Sequence, residues 1–277
     1  MTETTTETTP FKKLMAASAL LAAAVTAAPA FAADGDSYKI ATSADFPPLS
    51  YRDSEDTSKI IGFEMDMIEA MSEHGGWDYE LKTSAFNGLL PSLKSGRVDM
   101  VVSDIYNTAE RRKSVDFINY IENGFAVMVR ADDADTLTSY DAMCGKNIGI
   151  LTGSAPEMDA VKAASEKHCE SQGKPAIQPK SYPSVAQEIP QLANGRLSGI
   201  LETLTTLAYA QSQNEGKFKI AFRDPNTTKV GIAIRKSSDF ADGIKEDMAW
   251  YMSSGKADEN AKKWDIPVEA LIKNDSE

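Results

Sequence analysis

The segment from Val98 to Phe117 places the strongest constraint on how this chain can fold. Its first five residues, Val98–Val102, are mostly apolar and β-branched, which predicts a short buried strand. A polar break follows, and Thr108 then stands where a helix N-cap is expected. A strand that ends in a polar loop before a helix leaves backbone N–H groups at the carboxyl edge of a sheet, where open α/β sheets bind ligands.

Arg111 lies in the first turn of the helix that this segment predicts. A cation there is slightly disfavoured by the helix macrodipole. Binding of a carboxylate through the planar guanidinium group would explain its position. An exposed arginine on a solvated helix face would explain it equally well.

Length and charge limit the fold and the partners. A chain of 277 residues exceeds one typical core and indicates two lobes or domains. The formal net charge of −12 argues against nucleic acid and anionic membrane surfaces as partners.

The N-terminus has the pattern of a signal peptide. Lys12 and Lys13 precede the apolar stretch Leu14–Ala28, and Ala30–Ala32 form an A-x-A cleavage site. We expect residues 1–32 to be removed by cleavage before Ala33, so that the protein is exported to the periplasm. The apolar stretch is short for the alternative, a membrane anchor of about 20 apolar residues.

Cys144 and Cys169 make an even cysteine count in a chain that is expected to be exported. This favours a disulfide. Two buried thiols, or a metal pair assisted by His168, are the alternatives.

Predicted strands and helices alternate along the remaining chain, and this favours α/β lobes with largely parallel sheets. The strand–loop–helix pattern of the opening segment recurs at 146–157, so two similar lobes facing each other across a cleft are expected. Phe125–Arg130, Lys219–Phe222 and Lys229–Arg235 are predicted as separate strands.

A rigid proline-containing loop without regular structure is predicted at Ser43–Tyr51. Within it, Phe46 would form a flat ligand wall or, alternatively, fill the core. The sequence has no Walker A, GxGxxG, HExxH or GxSxG motif, and its two histidines offer little material for acid–base catalysis.

Seven segments, which together span essentially all of the expected mature chain, carry a family resemblance. The chain resembles the family 3 extracellular solute-binding proteins, which are amino-acid-type receptors of ABC importers. The matching segments are ATSADFPPLSYRD, IIGFEMDMIEAM, FNGLLPSLKSGRVDMVVSDIYNTAERRKSVDF, CGKNIGILTGSAPE, ANGRLSGILETLTTLAY, VGIAIRK and KADENAKKWDIP.

This resemblance implies the two-lobed periplasmic-binding-protein fold of type II. Each lobe is then an α/β unit with a mostly parallel sheet flanked by helices, and two hinge crossovers join the lobes. We expect lobe 1 to comprise residues 33–126 and 229–277, and lobe 2 to comprise residues 127–228. The implied protein is a monomer without cofactor or catalysis that delivers its ligand to a membrane permease with its ATPase.

The resemblance also implies roles for individual residues. Phe46 takes the place of a stacking aromatic ring, Phe86 lines the pocket, and Arg111 clamps the α-carboxylate of the ligand. The loop Gly153-Ser154-Ala155 offers backbone and hydroxyl groups to the same carboxylate.

The first-lobe loop departs from the family pattern. Asp104 stands where the family has a small serine or glycine, and Tyr106 stands where it has a serine or threonine. Ser103, which precedes Asp104, is a further candidate for the ligand site. We therefore expect Asp104 to hold a ligand amine. Tyr106 would supply an aromatic wall opposite Phe46 and favour a flat or cationic ligand.

The second lobe departs as well, because Thr203, preceded by Glu202, stands where the family carries an ammonium-binding aspartate. Glu202 and Asp45 are reserve candidates for the amine, although strand alternation would allow Glu202 to face the core instead. A modified amino acid, an opine-like conjugate or a cyclic zwitterion fits these departures as well as a standard amino acid.

Two other functions stay open. The fold also resembles periplasmic cyclohexadienyl (prephenate or arogenate) dehydratases. If this chain were such an enzyme, Asp104 or Glu202 with a raised pKa would act as its general acid. A sensory protein that presents its ligand to a membrane receptor is the second alternative.

Overall fold

Strands and helices alternate through residues 36–274, the part of the chain that this computed structural model describes. The strands are β1 (Ser37–Thr42), β2 (Asp45–Phe46), β3 (Ser50–Arg52), β4 (Ile60–Ile61), β5 (Asp78–Thr83), β6 (Met100–Val101), β7 (Val115–Arg130), β8 (Asn147–Leu151), β9 (Gln178–Tyr182), β10 (Gly199–Thr203) and β11 (Phe218–Arg235). The helices are α1 (Phe63–Gly75), α2 (Phe86–Lys94), α3 (Ala109–Arg112), α4 (Ala155–His168), α5 (Val185–Ala193), α6 (Leu204–Ser212), α7 (Ala241–Ser253) and α8 (Lys256–Lys263). Short 3₁₀ helices cover Ala131–Asp133, Tyr140–Met143, Glu170–Gln172 and Val268–Ala270.

An eight-stranded sheet has the order β5-β1-β6-β11-β7-β10-β8-β9. Pairing is parallel at each end, within β5-β1-β6 and within β10-β8-β9. It is antiparallel where these groups meet the two central strands. The predicted parallel α/β arrangement is therefore confirmed in the first half of the sheet, β5-β1-β6, and in the second half, β10-β8-β9. Helices cover the sheet.

The central strands are much longer than the sequence pattern predicts. β7 has 16 residues and β11 has 18, and they pair from Phe218–Arg130 to Arg235–Val115. The prediction of separate strands at Lys219–Phe222 and Lys229–Arg235 is thus wrong. Pro225 suggests a break, but it lies in one of the register shifts of this pair, where a strand tolerates proline.

The apolar core divides along these two strands. One cluster contains side chains from Ile40 to Ile121 and from Val230 to Leu271, together with Leu151 at the end of β8. Two further clusters involve the strands of the second half. One contains Val127 and Ile148, and the other contains Ala126 and Ile200. Such a division is typical of two lobes joined by crossover strands, and the predicted boundaries at 126/127 and 228/229 stay a prediction.

The segment Ser43–Tyr51 is more regular than predicted. β2 and β3 form an antiparallel hairpin, in which Asp45 lies opposite Tyr51 and Phe46 opposite Ser50. The prolines occupy the turn, where a missing N–H costs no ladder bond. The expectation of a loop without strands was therefore wrong, although the turn itself was correctly placed.

The opening segment forms a shorter strand than predicted, Met100–Val101 instead of Val98–Val102. The predicted N-cap is confirmed, because Thr108 Oγ1 accepts a hydrogen bond from the Arg111 backbone N–H at 3.3 Å. The predicted signal peptide lies outside the described residues. Within residues 36–274, no helix combines the length and the apolar character that a membrane span requires.

The predicted disulfide between Cys144 and Cys169 is confirmed, with a Cα–Cα distance of 5.5 Å. It joins the segment before β8 to the end of α4. The described residues contain no cluster of His, Cys, Asp and Glu side chains suited to a metal.

Replacing both Cys144 and Cys169 by serine is expected to lower the free energy of unfolding by about 3 kcal/mol, because the bridge closes a loop of 25 residues in the unfolded chain. Denaturant unfolding of both proteins measures the difference. An unchanged midpoint would show that the bridge does not restrict the unfolded state.

Candidate functional site

Arg111 lies at the end of α3, directly after the strand and loop that precede this helix. Its side chain is half-buried, and Nη1 donates a hydrogen bond to the Tyr106 carbonyl oxygen at 2.9 Å. Burial lowers the pKa of Arg111 to about 10, while the negative charges of Glu157 and Asp104 oppose that shift. The guanidinium is thus charged at neutral pH and faces carboxylates from both halves of the sheet.

Asp104 is the central acid of the first half and is only 2% exposed. Its backbone is in the left-handed region at φ 49°, which aspartate tolerates better than most residues. Oδ1 accepts a hydrogen bond from Asn123 Nδ2 at 3.4 Å, and Oδ2 has no partner within the described residues. Burial, followed by the charge of Glu64, raises the pKa of Asp104 to about 7.

Glu64 holds this aspartate in place from the first turn of α1. Its Oε1 accepts hydrogen bonds from the Asp104 backbone N–H at 2.7 Å and from the Tyr120 hydroxyl. The sequence interpretation missed Glu64, because an acidic residue in a first helical turn usually faces solvent. Its only sequence signal is its position between Phe63 and Met65, both of which are buried.

The second half contributes three more buried glutamates. Glu202 is 1% exposed, its Oε1 accepts from the Thr203 backbone N–H at 2.6 Å, and its Oε2 has no partner among residues 36–274. Glu157 Oε2 accepts from the Leu151 backbone N–H at 2.6 Å, whereas both oxygens of Glu188 lack a partner in the described chain. Burial raises the pKa of all three, and their mutual repulsion adds to it.

Tyr106 lies between these two groups of acids. Its hydroxyl is buried without a hydrogen-bond partner in the part of the chain described, and its ring packs against Phe125 at 5.2 Å. Burial raises the pKa of Tyr106, and the charges of Asp104, Glu202 and Glu157 raise it further. The predicted aromatic wall opposite Phe46 stays a prediction, since the observed ring contact of Tyr106 is with Phe125.

Phe46 and Phe86 form a separate aromatic pair, with ring centroids 5.4 Å apart in an edge-to-face arrangement. Both are buried in the cluster of the first half, and Phe46 is 2% exposed. This geometry agrees with the alternative in which Phe46 fills the core. A stacking role for Phe46 and a lining role for Phe86 stay predictions.

The loop Gly153-Ser154-Ala155 brings the two halves together. Gly153 has φ 89°, and a Cβ atom at this position would lie 2.6 Å from the Asn87 Cβ. The Ser154 hydroxyl bonds to the Glu157 carboxylate, and Ala155 opens α4. Backbone from one half therefore touches α2 of the other at this loop.

The three remaining predicted site residues each have contacts of their own. The Ser103 hydroxyl accepts a hydrogen bond from the Ser43 backbone N–H at 3.0 Å and so fixes the end of β1. Asp45 faces Arg52, and burial raises its pKa. Thr203, whose hydroxyl donates to Thr206 Oγ1 at 3.0 Å, lies close enough to Asp104 to lower its pKa.

The assembled site therefore holds an excess of buried acid around one arginine. Ionised carboxylates at such depth are costly unless they are paired with cations. Arg111 offers a planar fork for a carboxylate. Asp104 and Glu202 each offer a positive group one oxygen that has no hydrogen-bond partner in the described chain. Glu64, Glu157, Glu188 and Asn123 are the members that sequence reasoning missed.

Comparison with known proteins assigns the chain to a family. The bacterial extracellular solute-binding proteins of family 3 match residues 38–266. The chain belongs to this family. The resemblance inferred from sequence segments is thus confirmed, and the chain is a substrate-binding protein of the amino-acid-binding type.

Individual relatives support the same assignment for this family 3 protein. It is 27% identical to the arginine-binding protein ArgT of Corynebacterium glutamicum, with 82% of this chain and 75% of that protein covered. It is 29% identical to a probable histidine-binding protein of Neisseria gonorrhoeae, with 77% and 76% covered.

Solved structures confirm the fold of this family 3 protein. An ancestral arginine-binding protein bound to arginine matches with a TM-score of 0.75 at 26% identity, over 83% of this chain and 99% of that chain. The arginine-, lysine-, histidine-binding protein ArtJ from Geobacillus stearothermophilus matches with a TM-score of 0.71 at 26% identity, over 83% and 95%. The predicted fold class, type II with two lobes, is therefore confirmed.

Replacing Gly153 by alanine is expected to weaken ligand binding by roughly tenfold or more, because the new Cβ would collide with Asn87 when the halves meet. Calorimetric titration with the best ligand of an amino-acid panel measures this change.

Gly173→Ala is the matched control, since Gly173 also has a positive φ, 67°, but has open space where the Cβ would lie. Both variants carry similar backbone strain, so equal affinities for the two would contradict a contact between the halves at Gly153.

Proposed function

We propose that the cleft binds an amino acid with a positively charged side chain. Arg111 would clamp the α-carboxylate, and Asp104 would hold the α-ammonium. The side-chain cation would point toward Glu202 and Glu157. The observation that carries the proposal is a set of buried oxygens on Asp104, Glu202 and Tyr106 that have no hydrogen-bond partner among residues 36–274. The charges of Asp104, Glu202 and Arg111 all act on the pKa of Tyr106, so these groups lie near one another.

Charge balance favours a cationic ligand over a neutral one. If Asp104, Glu157 and Glu202 are ionised, Arg111 alone cannot neutralise them. A ligand with a carboxylate and two positive groups adds a net positive charge and supplies donors to the free oxygens. The relatives named for arginine and histidine support this class of ligand, because both are basic amino acids.

Binding would proceed by closure of the two lobes around the ligand. A ligand that bridges Asp104 in one half and Glu202 in the other binds the closed state more tightly and shifts the population toward it. In this proposal the lobes are residues 33–126 with 229–277 and residues 127–228, and β7 and β11 carry the crossovers.

The cellular setting follows from the family and the sequence. We propose that residues 1–32 direct export and are cleaved before Ala33, so that the mature receptor works in the periplasm. The closed, liganded receptor would deliver its ligand to a membrane permease with its ATPase. It would act without catalysis.

One observation keeps the dehydratase alternative testable. Asp104 has a pKa of about 7, which suits a general acid at neutral pH. Incubation with prephenate or arogenate, followed by detection of phenylpyruvate or phenylalanine, distinguishes the two functions. Product formation would replace the proposal of binding without catalysis.

Arg111→Ala is expected to abolish binding of L-arginine, whereas Asp104→Asn should weaken it by about 1.5–3 kcal/mol through loss of a charge-assisted contact. Calorimetry on refolded, ligand-free protein measures both affinities.

Lys113→Ala is the matched control, because it removes an exposed positive charge next to the same helix. Full affinity in Arg111→Ala would refute the carboxylate clamp. Full affinity in Asp104→Asn, together with a loss in Glu202→Gln, would move the ammonium site to the second half.

The affinity for L-arginine is expected to fall as the pH drops below 7, by up to about tenfold per pH unit, because Asp104 must lose its proton to pair with a cation. The raised pKa of a folded-state carboxyl has the opposite effect on the free protein, whose stability rises as the pH falls from 8 toward 5.

Titrations at pH 5.5, 7 and 8 measure the first effect, and melting without ligand measures the second. Asp104→Asn should flatten both dependences. An affinity that does not vary with pH in the unmodified protein would contradict an ionisable Asp104 at the ligand.

A further inference from the structure

A cavity of about 620 Å³ lies beside the site, on the side of the crossover strands. Its walls come from the middle of β7 and β11, from α6, and from the chain after α8. Small-molecule sites have volumes of roughly 300–1,000 Å³. Arg111, Glu157 and Glu202 are not among the residues that line it, so the cavity is distinct from the acidic site.

The cavity lining is mostly apolar by area and includes four aromatic rings. Its charged members are Glu122, Arg223, Asp224, Lys263 and Asp265. Tyr51 contacts Tyr209 at 5.4 Å and Trp264 at 6.1 Å between ring centroids, and Phe125 and Leu204 also line it. Tyr51 belongs to the first half and Tyr209 to the second, so an occupant would touch both. Flat apolar groups suit such walls.

Two residues of β7 contact both this cavity and the acidic site. Asn123 lines the cavity, where its Nδ2 donates to Thr205 Oγ1 at 2.8 Å, and the same amide nitrogen reaches Asp104 Oδ1 at 3.4 Å. Phe125 likewise lines the cavity and packs against Tyr106 at 5.2 Å. Asn123 and Phe125 therefore lie between the cavity and the Asp104 and Tyr106 side chains of the acidic site.

We infer that the ligand is an N-substituted amino acid whose substituent occupies this cavity. The inference rests on the proposed function, in which Asp104 holds the ligand nitrogen, and it names the substrate class more closely. A secondary ammonium keeps its positive charge and retains N–H donors for Asp104. Its substituent would pass Asn123 and end among the aromatic rings.

The test compares three probes by calorimetry on refolded protein: L-arginine, N2-benzyl-L-arginine and N2-benzoyl-L-arginine. The benzyl derivative keeps the charged nitrogen and adds a flat ring, whereas the benzoyl derivative adds the same ring on a neutral amide. We expect the benzyl derivative to bind at least about tenfold more tightly than L-arginine, since burial of a phenyl ring changes an equilibrium constant by roughly ten- to a hundredfold. The benzoyl derivative should bind more weakly than the benzyl one.

Ala208→Trp fills the cavity from α6, and Ala163→Trp places the same side chain at an exposed position of α4 away from it. The ratio of benzyl-derivative to L-arginine affinity should fall toward one in Ala208→Trp and stay high in Ala163→Trp. Thr227→Trp fills the cavity from β11 and replaces Ala208→Trp if that variant melts early.

The inference is overturned if L-arginine binds and the benzyl derivative gains nothing, while the proposed function stands. It is also overturned if the gain persists in the cavity-filling variants, or if the benzoyl derivative binds as tightly as the benzyl one. Absence of binding by all three probes would refute the proposed function, and the inference with it.

Discussion

Carboxylates that are buried with too few cations are the constraint on which this site depends. Asp104, Glu157, Glu188 and Glu202 lie almost completely out of water, and Arg111 is close enough to Asp104 and Glu157 for their charges to act on its pKa. Such groups hold protons or require a positive partner, because an ionised carboxylate in a low-dielectric region costs several kcal/mol. Closure of the two halves therefore depends on charge as well as on shape. A ligand that supplies positive charge and donors replaces protons that the closed site would otherwise have to bind.

The sheet explains which parts of the fold could be predicted from the sequence. The strand–loop–helix pattern predicted at 146–157 is found as β8, Asn147–Leu151, followed by the start of α4 at Ala155. The long strands β7 and β11 are not predicted, because their middle residues are polar and one contains Asp224-Pro225-Asn226, which has the composition of a turn. Their strand conformation comes from pairing between segments about a hundred residues apart, and a local pattern carries no information on that pairing.

The site shows a similar division. Arg111 and Asp104 can be named as candidates from the sequence because each follows the end of a predicted strand. Arg111 is a cation in the first turn of a helix, and Asp104 replaces a small residue of the family. Glu64, Glu157 and Asn123 cannot be named in this way, because an acid in a first helical turn and an amide in a strand are common on exposed surfaces. Their roles arise only when the fold buries them, as when Glu64 accepts the Asp104 backbone N–H. Local sequence therefore indicates candidate ligand residues but carries little information on the buried groups that support them.

The disulfide has a consequence for the site as well as for the fold. Cys169 caps the C-terminal end of α4, and the N-terminal end of the same helix carries Ser154 and Glu157. The bridge ties one end of this 14-residue helix to the segment before β8, while the Glu157 bond to Leu151 fixes the other end to the same strand. The helix is thus held in place at both ends. An oxidising compartment would pre-organise the second-lobe half of the site before any ligand arrives, and so reduce the entropy lost on closure.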